Sequence, residues 1–359
     1  MTGDRRYFCY KDVLPFAAMV TMECTNVGLN TLYKAATLRG MSYHVFIVYS
    51  YAVAAFILLP APFFSSRSRV LPRVNISIVS KIGLLGIIGC TSQIMGYTGI
   101  IYSSPTLASA ISNLVPAFTF ILAVIFRMET LSFWKKSCRA KLVGTIVSVT
   151  GAFVVTLYRG PRLIWAQWSN SPSGNLGTSQ PNWALGGLFL TSEYILVPLW
   201  YIVQTQIMKE YPAELTVVFF YNLIVSLLAA IVGAFTEPDS SAWRIKPDIA
   251  LASILCSGVL GSCLNNSVHT WALRVKGPLF VAMFKPLSIA IAVAMGVMFL
   301  GDDLYLGSVI GATIISIGFY TVMWGKAQDD EVMNLDSSSM PKSPLLQYKD
   351  ADDVDVERS

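Results

Sequence analysis

Four ionisable side chains stand inside long apolar runs of this sequence: Glu23, Glu193, His269 and Lys285. In the middle of a membrane such a group costs about 2.5–3.5 kcal/mol on the insertion scale, so each requires an interior partner, a water-filled cavity or a function. An ammonium group can hold a carboxylate, and a carboxylate can hold an ammonium group or a proton. The set therefore indicates binding of small charged or zwitterionic compounds.

Glu23 belongs to a polar face in the first apolar run. Asn26, Asn30 and Lys34 follow it at intervals of three, four and four residues, which puts the four side chains on one helix face, expected to point inward. The residues equivalent to Glu23, Asn30 and Lys34 at an offset of 170 are Glu193, Trp200 and Gln204. Two roles for Glu23 stay open, lining a pathway or a structural hydrogen bond between helices. Lys34 is close enough to a helix end to extend towards water.

The third apolar run carries Gln93 and Tyr97, four residues apart, and its counterpart carries Asn265 and His269. Polar residues on the same face in both halves predict a cavity between them, to which Asn266 is also assigned. Interhelical hydrogen bonding is the alternative. His269 can relay protons near neutral pH, or it can simply be hydrogen-bonded.

Lys285 directly precedes Pro286, about eight residues into the ninth run. Proline removes a backbone donor, so the helix is expected to kink beside this lysine. Lys285 would hold a substrate carboxylate, or pair with Glu23 or Glu193 when the site is empty. Asn113 lies at nearly the equivalent depth of the fourth run and joins the candidate set of substrate-binding residues.

The composition is that of a membrane protein. Of the 359 residues, 54% are hydrophobic and 13% are charged, and the mean hydropathy is +0.57. A bilayer core takes about 20 apolar residues per helix. Ten such runs predict an all-α integral membrane fold, near residues 13–34, 43–63, 79–101, 105–126, 139–158, 184–208, 214–235, 249–273, 278–300 and 304–325.

Basic residues near the run ends set the orientation. Fifteen fall in the loops that face the cytoplasm if the N-terminus is inside, and five fall in the outer loops. Both termini are therefore predicted to be cytoplasmic. The modest net charge of +5 is an orientation signal and does not indicate nucleic-acid binding.

The two halves repeat each other. Gly86 and Gly258 share an offset of 172, and Pro105 and Pro278 share an offset of 173. Because each unit has five runs, the second must cross the membrane upside down, which is typical of secondary transporters. The predicted division is a cytoplasmic N-terminus at 1–12, repeats at 13–158 and 184–325, an outer linker at 159–183 and a disordered cytoplasmic tail at 326–359.

Two stretches resemble a known family. The sequence is similar to the plant Walls-are-thin-related (nodulin-like, UMAMIT) proteins in each half. In the second half the similar residues are Phe284-Lys285-Pro286-Leu287-Ser288 and the stretch from Gly307 to Lys326. In the first half they are the stretch from Ser104 to Leu131. The Walls-are-thin-related proteins form part of the EamA branch of the drug/metabolite transporter superfamily. The resemblance covers about residues 10–326. It implies a ten-helix carrier of amino acids or auxin-like acids in the plasma or vacuolar membrane, and it transfers no binding residue.

The sequence thus predicts a carrier that works by alternating access, with an amino acid or related organic acid as its small-molecule partner. The plasma membrane is favoured over the vacuolar membrane, and homo-oligomerisation is left open. No catalytic constellation, metal motif or nucleotide-binding loop is visible, so neither an enzyme nor a cofactor is expected. The alternatives are a receptor or scaffold on the same fold, a nucleotide-sugar carrier, which needs several intramembrane Lys or Arg residues, and a channel.

The predicted orientation can be tested at the Asn75-Ile-Ser sequon, which falls in an inner loop. We expect Asn75 to stay unglycosylated in eukaryotic membranes, because glycosylation occurs on the opposite side. Glycosidase digestion should leave the electrophoretic mobility unchanged. A mobility shift that Asn75→Gln abolishes would contradict the orientation.

Overall fold

The computed structural model describes residues 13–37, 39–68, 75–102, 108, 111–128, 136–158, 160–164, 183–245, 247–295 and 304–339. The predicted N-terminal segment 1–12 lies outside these residues. So do Pro105, most of the predicted linker and the last part of the predicted tail.

The first half consists of helices. They are α1 (Leu14–Thr37), α2 (Tyr43–Leu58), α3 (Ala61–Ser68), α4 (Ile76–Tyr102), α5 (Val115–Ile125) and α6 (Lys136–Leu157). A short strand, β1 (Arg162–Ile164), follows. Pro116 lies in the first turn of α5, where its missing N–H removes no intrahelical hydrogen bond.

The second half has the same order of long helices. They are α7 (Trp183–Glu210), α8 (Glu214–Thr236), α9 (Ile249–Cys256), a π-helix (Ser257–Asn265), α10 (Asn266–Lys276), α11 (Pro278–Met295) and α12 (Leu306–Ser339). Strand β2 (Leu304–Tyr305) precedes α12. Helix α9, the π-helix and α10 follow one another without a break and form a single apolar span, Ile249–Lys276, which we call the rod.

Within the described residues, seven helices are long and apolar enough to cross a membrane: Tyr43–Phe64, Ile76–Ile100, Lys136–Val155, Ala184–Glu210, Glu214–Thr236, Ile249–Lys276 and Leu306–Gln328. Shorter apolar helices lie at Val115–Ile125 and Pro278–Ile291. Helix α1 has 24 residues, but its polar face lowers its hydropathy. The chain is therefore a multi-pass helical membrane protein, and the number ten stays a prediction.

Helix packing relates the halves. Helix α4 packs on α7 and the rod packs on α1; α5 packs on α7 and α11 packs on α1. Equivalent helices also pack on each other, α2 on α8, α5 on α11 and α6 on α12. Each of these contacts between the halves thus has a counterpart with the roles exchanged.

One feature corrects the sequence predictions, and another adds to them. The segment from 326 is not disordered throughout, because α12 continues to Ser339. Residues 326–339 contain no Gly or Pro, so nothing interrupts the helix before Pro341. The all-α class is confirmed, and one short pairing is added to it: β1, in the predicted linker, pairs antiparallel with β2, with Arg162 opposite Tyr305.

Glycines form the contact between α6 and α12. A Cβ on Gly144 would lie 2.7 Å from the Gly318 carbonyl oxygen, and a Cβ on Gly311 would lie 2.7 Å from the Gly151 carbonyl oxygen. The backbones therefore touch directly, as small residues allow in membranes. This contact joins the last helices of the two halves.

We expect Gly318→Ala to lower the melting temperature in detergent, because the added Cβ would lie 2.5 Å from the Ser148 backbone nitrogen. Overpacking of this kind costs about 1–3 kcal/mol. Gly187→Ala in α7 is the control, since nothing lies within 4 Å of its added Cβ. Equal melting temperatures for the two variants would contradict the tight contact.

Candidate functional site

A cavity of about 500 Å³ lies between the two halves; we call it the central cavity. Its wall contains one lysine, Lys285, one glutamate, Glu193, one histidine, His269, and the indole of Trp200. Neutral hydrogen-bonding groups complete it, including Asn30, Ser92, Gln93, Ser112, Tyr201, Asn265, Asn266 and Ser288. A volume of this size suits a small organic molecule.

A second cavity of about 360 Å³ adjoins the first; we call it the tyrosine cavity. Tyr33, Tyr43, Phe46 and Tyr97 line it. The rings of Tyr43 and Tyr97 are stacked with centroids 4.0 Å apart. The two cavities share six lining residues, Asn30, Tyr51, Gln93, Glu193, Asn265 and Asn266. Any solute in one therefore has direct access to the wall of the other.

Lys285 reaches the central cavity from inside α11. It is the eighth residue of the helix, roughly 10 Å along the axis from the start. Pro286 follows it within the helix and supplies no N–H to the helix ladder. The Lys285 ammonium interacts electrostatically with Glu23 and Glu193. It is thus a fixed cation whose counter-charges come from both halves.

Glu193 stands at the boundary of the two cavities. Its Oε2 atom is buried and has no hydrogen-bond partner. The carboxylate lies against the α4 backbone at Gly96, where an added Cβ would collide with Cδ, Oε1 and Oε2. The absence of a side chain on Gly96 therefore leaves the space that the carboxylate fills.

The π-helix presents the amides of the second half. Asn265 ends it and Asn266 begins α10. Its wider turn alters the regular backbone pairing, and side chains contact three of its carbonyl oxygens, those of Ser262, Cys263 and Asn265. Asn222 Nδ2 donates to the Ser262 oxygen at 3.1 Å, and Ser267 Oγ donates to the Cys263 oxygen at 2.6 Å. Such π-helical turns occur frequently at functional sites.

Hydrogen bonds hold several cavity side chains in place. Tyr43 donates to Gln93 Oε1 at 3.0 Å. Asn26 Nδ2 donates to Asn265 Oδ1 at 3.3 Å, which joins α1 to the π-helix. Asn266 Nδ2 donates to Asn222 Oδ1 at 3.2 Å. The neutral polar groups of the cavity are therefore oriented before any ligand binds.

Glu23 lies outside both cavity walls. Its side chain is 3% exposed, and its Oε1 atom is 3.9 Å from His269 Nε2. His269 Nδ1 is 3.0 Å from the Asn265 carbonyl oxygen. His269 thus stands between the central cavity and a buried carboxylate.

The structure brings eight of the ten predicted site residues to the cavities. Asn30, Gln93, Glu193 and Asn265 line both; Trp200, His269 and Lys285 line the central cavity, and Tyr97 lines the tyrosine cavity. Glu23 and Asn113 line neither. Glu23 instead faces His269, and Asn113 is 1% exposed in the turn before α5, while its neighbour Ser112 reaches the cavity.

Sequence reasoning missed the tyrosines. Tyr43 and Tyr51 of α2 line the tyrosine cavity with Ile47 between them, at spacings of four residues. Within an apolar run, tyrosines repeated at i and i+8 are the signal that could have found this stripe. Tyr201 and Tyr221, which line the central cavity, were also absent from the predicted set, in which Tyr97 was the tyrosine included.

The cavities and the ion pairs lie at opposite ends of the helices. The tyrosine cavity extends to Tyr33 and Tyr43, near the α1–α2 connection. Near the other end, Lys81 of α4 pairs with Glu210 of α7. Arg274 pairs with Glu214 there. The first of these contacts links the two halves, and neither pair lines a cavity.

Comparisons with known proteins define the class. The EamA-like transporter family matches twice, at residues 17–157 and 185–324. A solved crystal structure with 12% sequence identity superposes with a TM-score of 0.59 over 84% of this chain and 98% of that one, which shows the fold alone. The chain belongs to the EamA-like transporter family of membrane proteins.

Plant relatives narrow the resemblance. WAT1-related protein At3g28050 of Arabidopsis thaliana is 64% identical and aligns over 98% of this chain and all of its own length. WAT1-related protein At5g40240 of the same plant is 52% identical over 95% of this chain and 94% of its own length. The family description names transport, which supports the expectation that the chain is not an enzyme.

We expect Gly96→Ala to displace the Glu193 carboxylate while the fold persists, because the end of a flexible side chain can move away from the added Cβ. Apparent transport affinity should fall about tenfold, equivalent to about 1.4 kcal/mol. Gly83→Ala in the same helix has nothing within 4 Å of its Cβ and is the control. Flux kinetics in proteoliposomes provide the measurement. Equal kinetics for the two variants would show that the position of Glu193 does not matter.

Proposed function

We propose that the protein carries small zwitterionic or anionic metabolites, amino acids first among them, across the plasma membrane. The observation that carries the proposal is the central cavity, which places a cation and a carboxylate in one enclosed wall between the two halves. Lys285 would bind the carboxylate of the cargo. Glu193 would bind its ammonium group.

The rest of the wall fits such a cargo. Gln93, Asn265 and Asn266 offer both donors and acceptors of hydrogen bonds. The Trp200 indole, buried edge-on against Tyr221 with ring centroids 5.5 Å apart, supplies a rigid aromatic surface for a side chain. Tyr97 and Asn30 would contact cargo on its way through the tyrosine cavity.

Two inverted repeats of five spans each, 13–158 and 184–325, would supply the movement. The double family match and the reciprocal helix contacts support this arrangement. Both termini would be cytoplasmic, and the tyrosine cavity would open to the outside. The ion pairs Lys81–Glu210 and Arg274–Glu214 would then close the inner end. Alternating access follows if the repeats exchange these conformations.

The charge of the wall disfavours a nucleotide-sugar cargo. Among the described residues that line the two cavities, Lys285 is the only Lys or Arg, whereas a pyrophosphate requires several cationic groups. A scaffold on this fold would need no oriented polar wall, whereas a receptor would, so only a flux measurement separates a receptor from a carrier. The hydrogen bonds that fix Gln93 and Asn265 favour transport over a scaffold.

Uptake and efflux of a panel of labelled amino acids and auxin, in oocytes or proteoliposomes, test the proposal. Wild-type flux should be saturable. Lys285→Ala should reduce it at least about 100-fold at equal membrane abundance, because loss of a charge-assisted contact costs about 3 kcal/mol. Lys136→Ala, at the exposed start of α6, is the control.

The other outcomes separate the alternatives. Absence of flux for every compound at every pH would favour the receptor or scaffold. Saturable flux that Lys285→Ala leaves unchanged would retain the carrier and refute the site.

A further inference from the structure

Glu23 and His269 form a buried acid–base pair that the contacts with cargo do not use. The pair joins α1 to α10, and its two side chains are 3% and 8% exposed. Glu23 Oε1 is buried and has no hydrogen-bond partner among the described residues. An unpaired carboxylate oxygen in a membrane interior is costly, so this atom requires a cation or a proton.

The geometry of His269 leaves one nitrogen for that proton. Nδ1 lies 3.0 Å from the Asn265 carbonyl oxygen, which can only accept a hydrogen bond, so Nδ1 carries a hydrogen. In the neutral ring Nε2 is then an acceptor. It faces Glu23 Oε1 at 3.9 Å, so two acceptors confront each other until a proton arrives.

The other groups near this pair make its proton depend on cargo. Lys285 on α11 interacts electrostatically with both Glu23 and His269, and Tyr201 on α7 interacts with Glu23. Glu193, which lines the same cavity, interacts with Lys285 as well. Lys285 therefore compensates Glu23 when the cavity is empty. A cargo carboxylate would compete for the same ammonium group.

We propose that Glu23 and His269 together bind the proton that the carrier moves with its cargo. The transport of this proton with cargo rests on the proposed function, whereas the existence of the proton site rests on the geometry alone. When the cargo carboxylate engages Lys285, Glu23 loses part of its compensation. One proton from water in the cavity then binds between Nε2 and Oε1.

The charge balance closes without any other reactant. A zwitterion brings no net charge, and its ammonium group binds Glu193 while its carboxylate binds Lys285. The proton forms an N–H bond at His269 Nε2, and Glu23 Oε1 accepts a hydrogen bond from it once the 3.9 Å between the two atoms shortens to about 3 Å. It returns to water on the other side after the cargo leaves and Lys285 again faces Glu23. One proton crosses per cargo molecule.

Nuclear magnetic resonance tests the proton site without a cargo. The chain has two histidines, so a His44→Gln background leaves His269 as the only imidazole. Ring-labelled protein in nanodiscs would be titrated with and without Glu23→Gln. The midpoints of the two curves should differ by more than about one pH unit, because a charge at 3.9 Å strongly affects protonation. Identical midpoints would overturn the proposal.

Proteoliposomes test the coupling with the labelled amino acid panel. Accumulation driven by a pH gradient is compared with counterflow at equal pH, which requires no driving force. Glu23→Gln and His269→Gln should lower the ratio of the two rates at least about tenfold, while His44→Gln keeps the wild-type ratio. Counterflow without a response to the gradient in wild type would overturn coupling and keep the carrier. If no compound shows counterflow, the proposed function fails, and the titration still decides the proton site.

Discussion

The attraction between the Lys285 ammonium and two carboxylates from different halves is the interaction on which the rest of the structure depends. A lone lysine in the bilayer interior would cost several kcal/mol. Glu23 and Glu193 offset that cost only if α1, α7 and α11 meet. The polar cavity follows from this meeting, since water and amides must solvate whatever charge the three groups leave uncompensated. Helix packing and binding chemistry thus have one electrostatic origin.

The repeat makes this charge cluster nearly symmetric, and its departures from symmetry separate the roles. Glu23 and Glu193 are equivalent positions, yet Glu193 lines both cavities and Glu23 lines neither. Tyr97 and His269 are also equivalent, and the tyrosine stacks on Tyr43 while the histidine faces Glu23. The two copies of a residue thus have different surroundings, which fits the proposed division between cargo binding at Glu193 and proton binding at Glu23 and His269.

Much of the architecture was readable from the sequence because membranes impose simple rules. Apolar runs of about 20 residues locate the helices, and eight of the ten site residues predicted from the polar faces line the cavities. The π-helix was not predictable, because one of its carbonyl oxygens, that of Ser262, is bound by Asn222 of α8, which is 40 residues away in the sequence. Helical spacing places Glu23 on the inward face of α1. It does not show that Glu23 faces His269 and not a cavity, because that depends on how α1 packs against α10. The length of α12 was underestimated because acidic composition was taken as disorder.

The pairing of β1 with β2 restricts how the two halves can move. Strand β1 continues the chain from α6, and β2 leads directly into α12, whose glycines touch those of α6. The halves are therefore joined along one edge by two contacts, the pairing of β1 with β2 and the glycine contact between α6 and α12. Any rocking must turn about this edge, so the displacement of a helix grows with its distance from it. If the proposed alternating access operates, α6 and α12 would move least, and α7 and α11, which carry Glu193 and Lys285, would move most.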